Sequence, residues 1–224
     1  MRDKHTYRKR SADIYVCHTE RKRLCFLAKD NKMKLILASN SPRRKDILTE
    51  FGYAFNVKIS DFKENNVQGD PVLVAMRFAK GKAESVFSAE KRLGDGTNKV
   101  IIGADTVVYF DGKILGKPKN ESDAHRMLKL LSGKTHSVVT GFAVISEKIR
   151  VFGYDMSEVV FNKLSEKTIS DYVATGKPLD KAGSYGVQDG FDLVRTVNGS
   201  VYNVIGLPIE KIKFVLNGIL GLNE

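Results

Sequence analysis

The chain has 224 residues, of which 42% are hydrophobic and 28% are charged, and such a composition is ordinary for a globular domain. No apolar run reaches the roughly 18 residues of a membrane span, so we expect no contact with a membrane. The net charge of +11 would suit a nucleic-acid-binding protein, but the charge is unevenly distributed.

Residues 1–32 are predicted to lie outside the folded domain. They contain ten of the 37 Lys and Arg residues and four of the 26 Asp and Glu residues, so this segment carries +6 of the net +11. They show little apolar periodicity and no secretory signal pattern. We interpret them as a disordered basic extension or as the product of a translation start assigned too far upstream. The alternative is a basic arm that binds nucleic acid.

Both cysteines, Cys17 and Cys25, fall in this extension. Residues 33–224 therefore contain none, which argues against a disulfide scaffold and favours the reducing cytoplasm.

From residue 33 onward, strand and helix patterns alternate. The boundaries of the elements are marked by proline in the first helical turn (Pro42 and Pro71), by glycine at the helix end (Gly52 and Gly94) and by an Asp-Gly pair at a hairpin turn. The predicted elements are strand 33–39, helix 41–52, strand 54–60, helix 70–94, strand 100–110, hairpin strand 113–116, helix 122–131, strands 136–146 and 150–161, helix 165–176, strands 183–188 and 193–206, the latter with a turn at Asn198-Gly199, and helix 207–219. This order predicts one α/β domain, residues 33–224, with a central mixed, strongly bent β-sheet flanked by helices.

Asp105 is the first candidate for chemistry. It lies within the strongly apolar strand VIIGADTVVYF, where an unpaired carboxylate would be costly to bury. Alternation places it on the same face as Gly103, which leaves space beside it. Asp105 is either a structural aspartate in a salt bridge or a general base or metal ligand.

Basic loops form the second candidate feature. LGKPKN carries Lys117, LDKAGSYGVQ carries Lys181 and Gln188, and a helix begins with Arg43 and Arg44. Each cation alone would be interpreted as a solvated turn residue, but together they indicate a polyanion site. A helix N-terminus disfavours cations and attracts anions, so the two arginines suggest an absent anionic ligand.

A second carboxylate is needed if a metal ion takes part. Glu64, just after the second predicted strand, is the best candidate, although its position also fits a surface loop residue. Mg²⁺-type ions bridge a few carboxylates to substrate phosphates, so Asp105 and Glu64 with the basic loops suggest metal-assisted chemistry on a phosphate. SGKTH is not a P-loop, because position 128 is Leu rather than Gly.

At this point the motifs resemble a known family. LASNSPRRKDIL, GADTVV, LGKP, LSGKTHSVVTG, DKAGSYGVQ and GLPI occur in this order in the Maf family of nucleoside triphosphate pyrophosphatases. The resemblance spans about residues 33–220. It implies hydrolysis between the α- and β-phosphates, a divalent metal (Mg²⁺ or Mn²⁺), and an active-site cleft between two lobes. It also implies a cytoplasmic homodimer, with roles in nucleotide-pool sanitation and cell division.

The resemblance assigns roles to particular residues. Asp105 is the implied proton acceptor, with Lys82 and Lys117 as further catalytic residues and Glu64 with Asp105 at the metal. Substrate binding and specificity are implied for Ser41, Arg43, Arg44, Thr106, Lys181 and Gln188. SPRR, GADT and YG-x-Q are typical of the branch acting on dTTP and UTP, whereas the branch acting on 7-methyl-GTP has GSDQ and a Trp after SP. One departure is Lys63 before Glu64, where relatives often have an acidic residue.

Two other function classes stay open from the sequence. One is a nucleic-acid-binding protein, which the pI of about 9.5 would favour, although we find no nucleic-acid-reading motif and expect no specific nucleic-acid partner. The other is a regulator of division that binds nucleotide without hydrolysing it.

Overall fold

The computed structural model describes residues 33–65, 67–94 and 98–220. The predicted extension, residues 1–32, lies outside the described residues. In the described part, the strands are β1 (Lys34–Leu37), β2 (Phe55–Val57), β3 (Lys99–Phe110), β4 (Lys113–Leu115), β5 (Thr135–Ile145), β6 (Arg150–Phe161) and β7 (Val194–Asn198). The helices are α1 (Pro42–Glu50), α2 (Pro71–Leu93), α3 (Glu121–Leu131), α4 (Glu166–Ala174), α5 (Val201–Ile205) and α6 (Ile209–Leu220). Two 3₁₀ turns, Lys177–Asp180 and Ala182–Ser184, follow α4.

The described strands form one sheet in the order β2-β1-β3-β5-β6-β7, with β4 also paired to β3. β1 is parallel to β2 and β3, and the remaining pairs are antiparallel. The predicted α/β domain with a mixed sheet flanked by helices is confirmed. No helix among the described residues is both long and apolar enough for a membrane span.

Strand β3 organises the sheet because its two edges are paired differently. One edge pairs with β5 from Ile101 to Tyr109. The other edge pairs with β1 through Ile102 and with β4 only from Val108. Between these partners, within the described part of the chain, residues 103–107 have no strand on that side. The gap holds Asp105, and it separates the apolar cluster around Ile102 from the one around Val108.

Helix α2 crosses β3 and β5 at very short range. A Cβ atom on Gly103 would overlap the carbonyl oxygen of Ala79, and one on Gly141 would overlap the carbonyl group of Ala75. Gly141 is the cross-strand partner of Asp105. The space that the sequence predicted beside Asp105 is therefore filled by the backbone of α2, a helix that also carries Lys82.

Of the two strands predicted near the C-terminus, one is absent and the other is confirmed only up to the predicted turn at Asn198-Gly199. Residues 183–188 form no strand, because Gly183 and Ser184 have φ values of 67° and 65° and the chain turns there. Residues 193–206 form β7 only as far as Asn198. Ser200 then caps a helix by accepting a hydrogen bond from the backbone N–H of Asn203, and side chain–backbone bonding of this kind overrides the β-propensity of the valines.

Replacing Gly141 with Ala tests the close approach of α2. The added methyl meets backbone rather than a flexible side chain, so we expect the free energy of unfolding to fall by about 2–3 kcal/mol, measured by urea denaturation. Gly116→Ala is the matched control, because a Cβ there meets nothing within 4 Å. Equal stability losses in the two variants would contradict this description of the helix–sheet contact.

Candidate active site

A cleft of about 510 Å³ opens at the gap beside β3. It lies where β1 ends, at the carboxyl edge of the parallel strands, which is the usual ligand position in open α/β sheets. All ten residues predicted from the sequence as site residues line it, and they are Ser41, Arg43, Arg44, Glu64, Lys82, Asp105, Thr106, Lys117, Lys181 and Gln188. The structure thus brings together side chains from six separate segments, while the role of each stays a prediction.

Lys82 links the two predicted metal ligands. Its Nζ lies 2.5 Å from Asp105 Oδ1 and 2.6 Å from Glu64 Oε1. Asp105 is buried, whereas about half of the Glu64 side chain is exposed. One ammonium group therefore bridges the two carboxylates in the cleft.

The loop before Glu64 is anchored to α2 at three successive points. Asp61 is hydrogen-bonded to Ser85, the ring of Phe62 lies where a Cβ of Gly81 would be, and Glu64 contacts Lys82. Glu64 is therefore an exposed loop residue that is also held at the cleft by its contact with Lys82. The unusual Lys63 is exposed.

The two carboxylates differ in their proton affinity. Burial raises the pKa of Asp105 above its ordinary value, and Glu64 adds to this, although the charges of Lys82 and Arg44 oppose it. Burial acts in the same direction on Glu64, but Lys82, Lys117 and Arg44 outweigh it and lower the pKa. Glu64 therefore stays ionised, while Asp105 is the stronger base, a division of properties that suits acid–base chemistry.

The carboxylates of Glu64 and Asp105 supply only part of the ligand shell that a divalent metal ion needs. In the described ranges there is no group of three or more His, Cys, Asp or Glu side chains that could hold a metal. Mg²⁺ commonly uses one or two carboxylates and completes its shell with water and substrate phosphates. Glu64 and Asp105 supply two such carboxylates, and both lie within 2.5–2.6 Å of the Lys82 ammonium group.

Arg43 and Arg44 play different parts at the start of α1. Arg43 reaches across the cleft to Asp180, with Nη1 2.7 Å from Oδ2. Ser41 occupies the N-cap position as predicted, but its side chain makes no capping hydrogen bond, and no acidic residue lies in the first turn. Asp180, 137 residues away in the sequence, is therefore the anionic partner of Arg43.

Arg44 is buried and organises the back of the cleft. Its guanidinium donates to the carbonyl of Gly206 at 2.8 Å, to Ser39 Oγ at 3.0 Å and to Thr106 Oγ1 at 3.2 Å. Burial lowers the pKa of Arg44, and the negative charge of Asp105 opposes that shift. An arginine ordinarily keeps its charge throughout the physiological range, so this shift still leaves a fixed positive charge beside Asp105.

The loop that carries Lys181 and Gln188 is held by a buried polar network. Lys181 Nζ lies 2.6 Å from the carbonyl of Lys177, 2.8 Å from Asp180 Oδ1 and 3.3 Å from Asp189 Oδ2. The hydroxyl of Tyr172 donates to Asp189 at 2.5 Å and accepts from the backbone N–H of Gly186 at 3.0 Å. These contacts define the position of the loop, which sequence patterns did not predict.

Sequence reasoning also missed a set of buried polar residues behind Thr106. Thr140 Oγ1 lies 2.9 Å from Thr106 Oγ1 and donates a hydrogen bond to the backbone carbonyl of Asn203. Ser39 accepts a hydrogen bond from Arg44, which also donates to Thr106. A signal was present, because Thr140 interrupts the apolar strand HSVVTGFAVIS as Asp105 interrupts β3.

Comparison with known proteins identifies the family. The family model described as "Maf-like protein" matches residues 34–219. The chain belongs to the Maf family. This confirms the resemblance drawn from the six motifs.

Curated relatives within the Maf family bear a common name. A protein of Aquifex aeolicus (strain VF5), named dTTP/UTP pyrophosphatase, is 45% identical over 185 residues, which are 82% of this chain and 94% of the relative. A protein of the same name from Bacillus mycoides (strain KBAB4) is 46% identical over 181 residues, or 80% and 92% of the two chains. A solved structure from Mycobacterium abscessus, titled nucleoside-triphosphatase / dITP/XTP pyrophosphatase, covers 85% of this chain and 96% of its own. Its 14% identity and TM-score of 0.34 are too low to establish a common fold.

Replacing Lys82 with Met tests the charge pairing in the cleft. Asp105 would keep a buried carboxylate without its nearest cation, so we expect a loss of about 3 kcal/mol in unfolding free energy at pH 8. The loss of unfolding free energy should be smaller toward pH 5. The pKa of Asp105 is raised in the folded variant, so its carboxyl becomes protonated there and no unpaired charge stays buried.

The measurement is urea denaturation at both pH values. Lys80→Met is the matched control on the same helix, since Lys80 is half exposed and lies 3.9 Å from Glu84. The double variant Lys82→Met/Asp105→Asn should recover most of the loss at pH 8. A loss that is independent of pH and persists in the double variant would refute the pairing.

Proposed function

We propose that the chain is a dTTP/UTP pyrophosphatase that hydrolyses the bond between the α- and β-phosphates and releases the nucleoside monophosphate and pyrophosphate. The observation that carries the proposal is the buried Asp105, paired with Lys82 and Glu64 at the base of a cleft walled by Arg43, Arg44 and Lys181. The motifs SPRR, GADT and YG-x-Q and the names of the curated relatives support the same substrates.

In this proposal Asp105 accepts the proton of the attacking water. Its raised pKa makes the carboxylate a stronger base than that of an ordinary aspartate. Lys82 holds the carboxylate in place and disperses the charge that it shares with Glu64.

The basic residues bind the triphosphate. Arg44, fixed by three hydrogen bonds, presents a preorganised guanidinium, and such groups stabilise charge that develops on phosphoryl oxygens. Lys117, at the end of β4, and Lys181 add positive charge along the cleft. Arg43 exchanges the carboxylate of Asp180 for a phosphate when substrate enters.

A divalent cation belongs to the proposal as well. Glu64 and Asp105 would hold it, and it would polarise the phosphoryl group and lower the pKa of bound water. The cytoplasmic location, the homodimer and the part in cell division stay predictions of the family resemblance.

A chelator provides the first test of the metal. Dialysis against EDTA should abolish pyrophosphate release from dTTP and UTP, and Mg²⁺ or Mn²⁺ should restore it. No release with either metal from any triphosphate in a panel would instead favour a regulator that binds nucleotide without hydrolysing it. Full activity in EDTA would remove the metal from the proposal.

Asp105→Asn tests the general base. We expect kcat on dTTP to fall by about 100-fold or more, with the fold kept, because the amide cannot accept the proton. Asp111→Asn is the matched control at the exposed end of the same strand, where φ is 49° and asparagine is tolerated. Hydrolysis by Asp105→Asn at the parent rate would show that the base is assigned to the wrong residue.

Arg43→Ala tests the cation at the start of α1. We expect the KM for dTTP to rise about tenfold, since a charge-assisted contact to the phosphates is lost. Lys45→Ala is the control, because Lys45 lies in the same helical turn but, unlike Arg43, does not line the cleft. An unchanged KM and kcat in Arg43→Ala would contradict the interpretation of the two arginines.

A further inference from the structure

The hydroxyl of Thr106 belongs to a hydrogen-bonded chain whose direction the geometry fixes. Thr140 Oγ1 lies 2.8 Å from the backbone carbonyl oxygen of Asn203. A carbonyl only accepts, so the single hydroxyl proton of Thr140 is used in that bond. Thr106 Oγ1 lies 2.9 Å from Thr140 Oγ1, and Thr106 must therefore donate its own proton to Thr140.

A second contact uses one of the two lone pairs of Thr106. Arg44 Nη2 donates to Thr106 Oγ1 at 3.2 Å. The hydroxyl group has one proton and two lone pairs, so a single lone pair remains. Thr106 is partly exposed and lines the cleft. Toward a ligand it can accept a hydrogen bond, but it has no proton to donate.

The acceptor end of this chain is held rigidly. Thr140 and Asn203 are fully buried. The side chain of Asn203 accepts from the backbone N–H of Thr140 at 3.1 Å and donates to the carbonyl of Val138 at 3.0 Å and to Ser157 Oγ at 2.9 Å. With all of these groups engaged, Asn203 cannot move to release the proton of Thr140, and the direction of the chain does not reverse.

We propose that Thr140 and Asn203 are positioning residues that select the pyrimidine base by making Thr106 an acceptor only. Uracil and thymine carry an N–H at N3, which Thr106 can accept. Cytosine has a bare lone pair at N3, which would face the lone pair of Thr106 and leave both without a partner. The inference rests on the proposed function in two respects, namely that the cleft takes a pyrimidine nucleotide and that Thr106 meets the N3 edge of its base.

Thr140→Val tests this mechanism in the full chain, with Thr140→Ser as the conservative control. The readout is the ratio of the Kd values for CMP and UMP, measured by titration calorimetry. The parent should prefer UMP by about tenfold or more. In Thr140→Val the proton of Thr106 is released and can turn toward the cleft, so CMP should bind more tightly and the ratio should approach one. Thr140→Ser keeps the acceptor and should keep the parent ratio.

A merely structural role for Thr140 predicts something different. It would weaken UMP and CMP by the same factor and leave the ratio unchanged, and that result would overturn the inference. Equal binding of UMP and CMP by the parent would also overturn it. Should Thr140→Val fail to fold, Thr106→Val gives the second test. This variant should raise the Kd for UMP to the value of the Kd for CMP. Loss of both ligands to the same extent in that variant would refute the inference.

The binding ratio needs no turnover, so it separates this inference from the proposed function. A parent protein that prefers UMP through Thr140 but releases no pyrophosphate from dTTP or UTP would refute the hydrolase and support the base selection. A parent that hydrolyses UTP and CTP equally and shows no binding preference would support the hydrolase and refute the selection.

Discussion

The backbone of α2 touches the sheet at Gly103 and Gly141, and the rest of the cleft depends on that contact. Any side chain at either glycine would push the helix away. Because Gly141 pairs with Asp105 across the strands, the point of closest approach lies beside the carboxylate. Lys82 then reaches Asp105, and the same helix anchors Phe62 and Glu64. Because Gly103 and Gly141 have no side chains, the helix packs close enough for Lys82 to contact both Asp105 and Glu64.

The cationic side chains in the cleft differ in whether they form an ion pair with a carboxylate. Lys82 lies between Asp105 and Glu64, and Arg43 meets Asp180. Arg44 is paired instead with neutral oxygens from Gly206, Ser39 and Thr106. The negative charge of Asp105 acts on this guanidinium from nearby, but the three oxygens that accept its hydrogen bonds are neutral. The two arginines at the start of α1 therefore have different partners even though they are adjacent in sequence.

Buried polar groups behind the cleft fix the orientation of those in front. The amide of Asn203 and the hydroxyl of Thr140 are not exposed to solvent, yet they determine where the proton of Thr106 lies. The short helix α5 supplies the carbonyl at the end of this chain. Had residues 201–205 continued β7 as a strand, that carbonyl would have had a different direction.

The sequence by itself determined the elements with strong local signals, including the fold class, the mixed sheet and the Asp-Gly hairpin. Ordered motifs also identified ten of the residues that line the cleft, because the motifs match those of the family to which the chain belongs. Local signals failed at Gly183 and Ser184, where positive φ values turn the chain, and at Ser200, where a cap outweighs β-propensity.

Only the tertiary structure decided the partners: Asp180 for Arg43, Lys82 for both carboxylates, and Asn203 for Thr140. These pairs lie 18 to 137 residues apart, and they depend on how closely helices and strands pack, which no local pattern in a single sequence specifies.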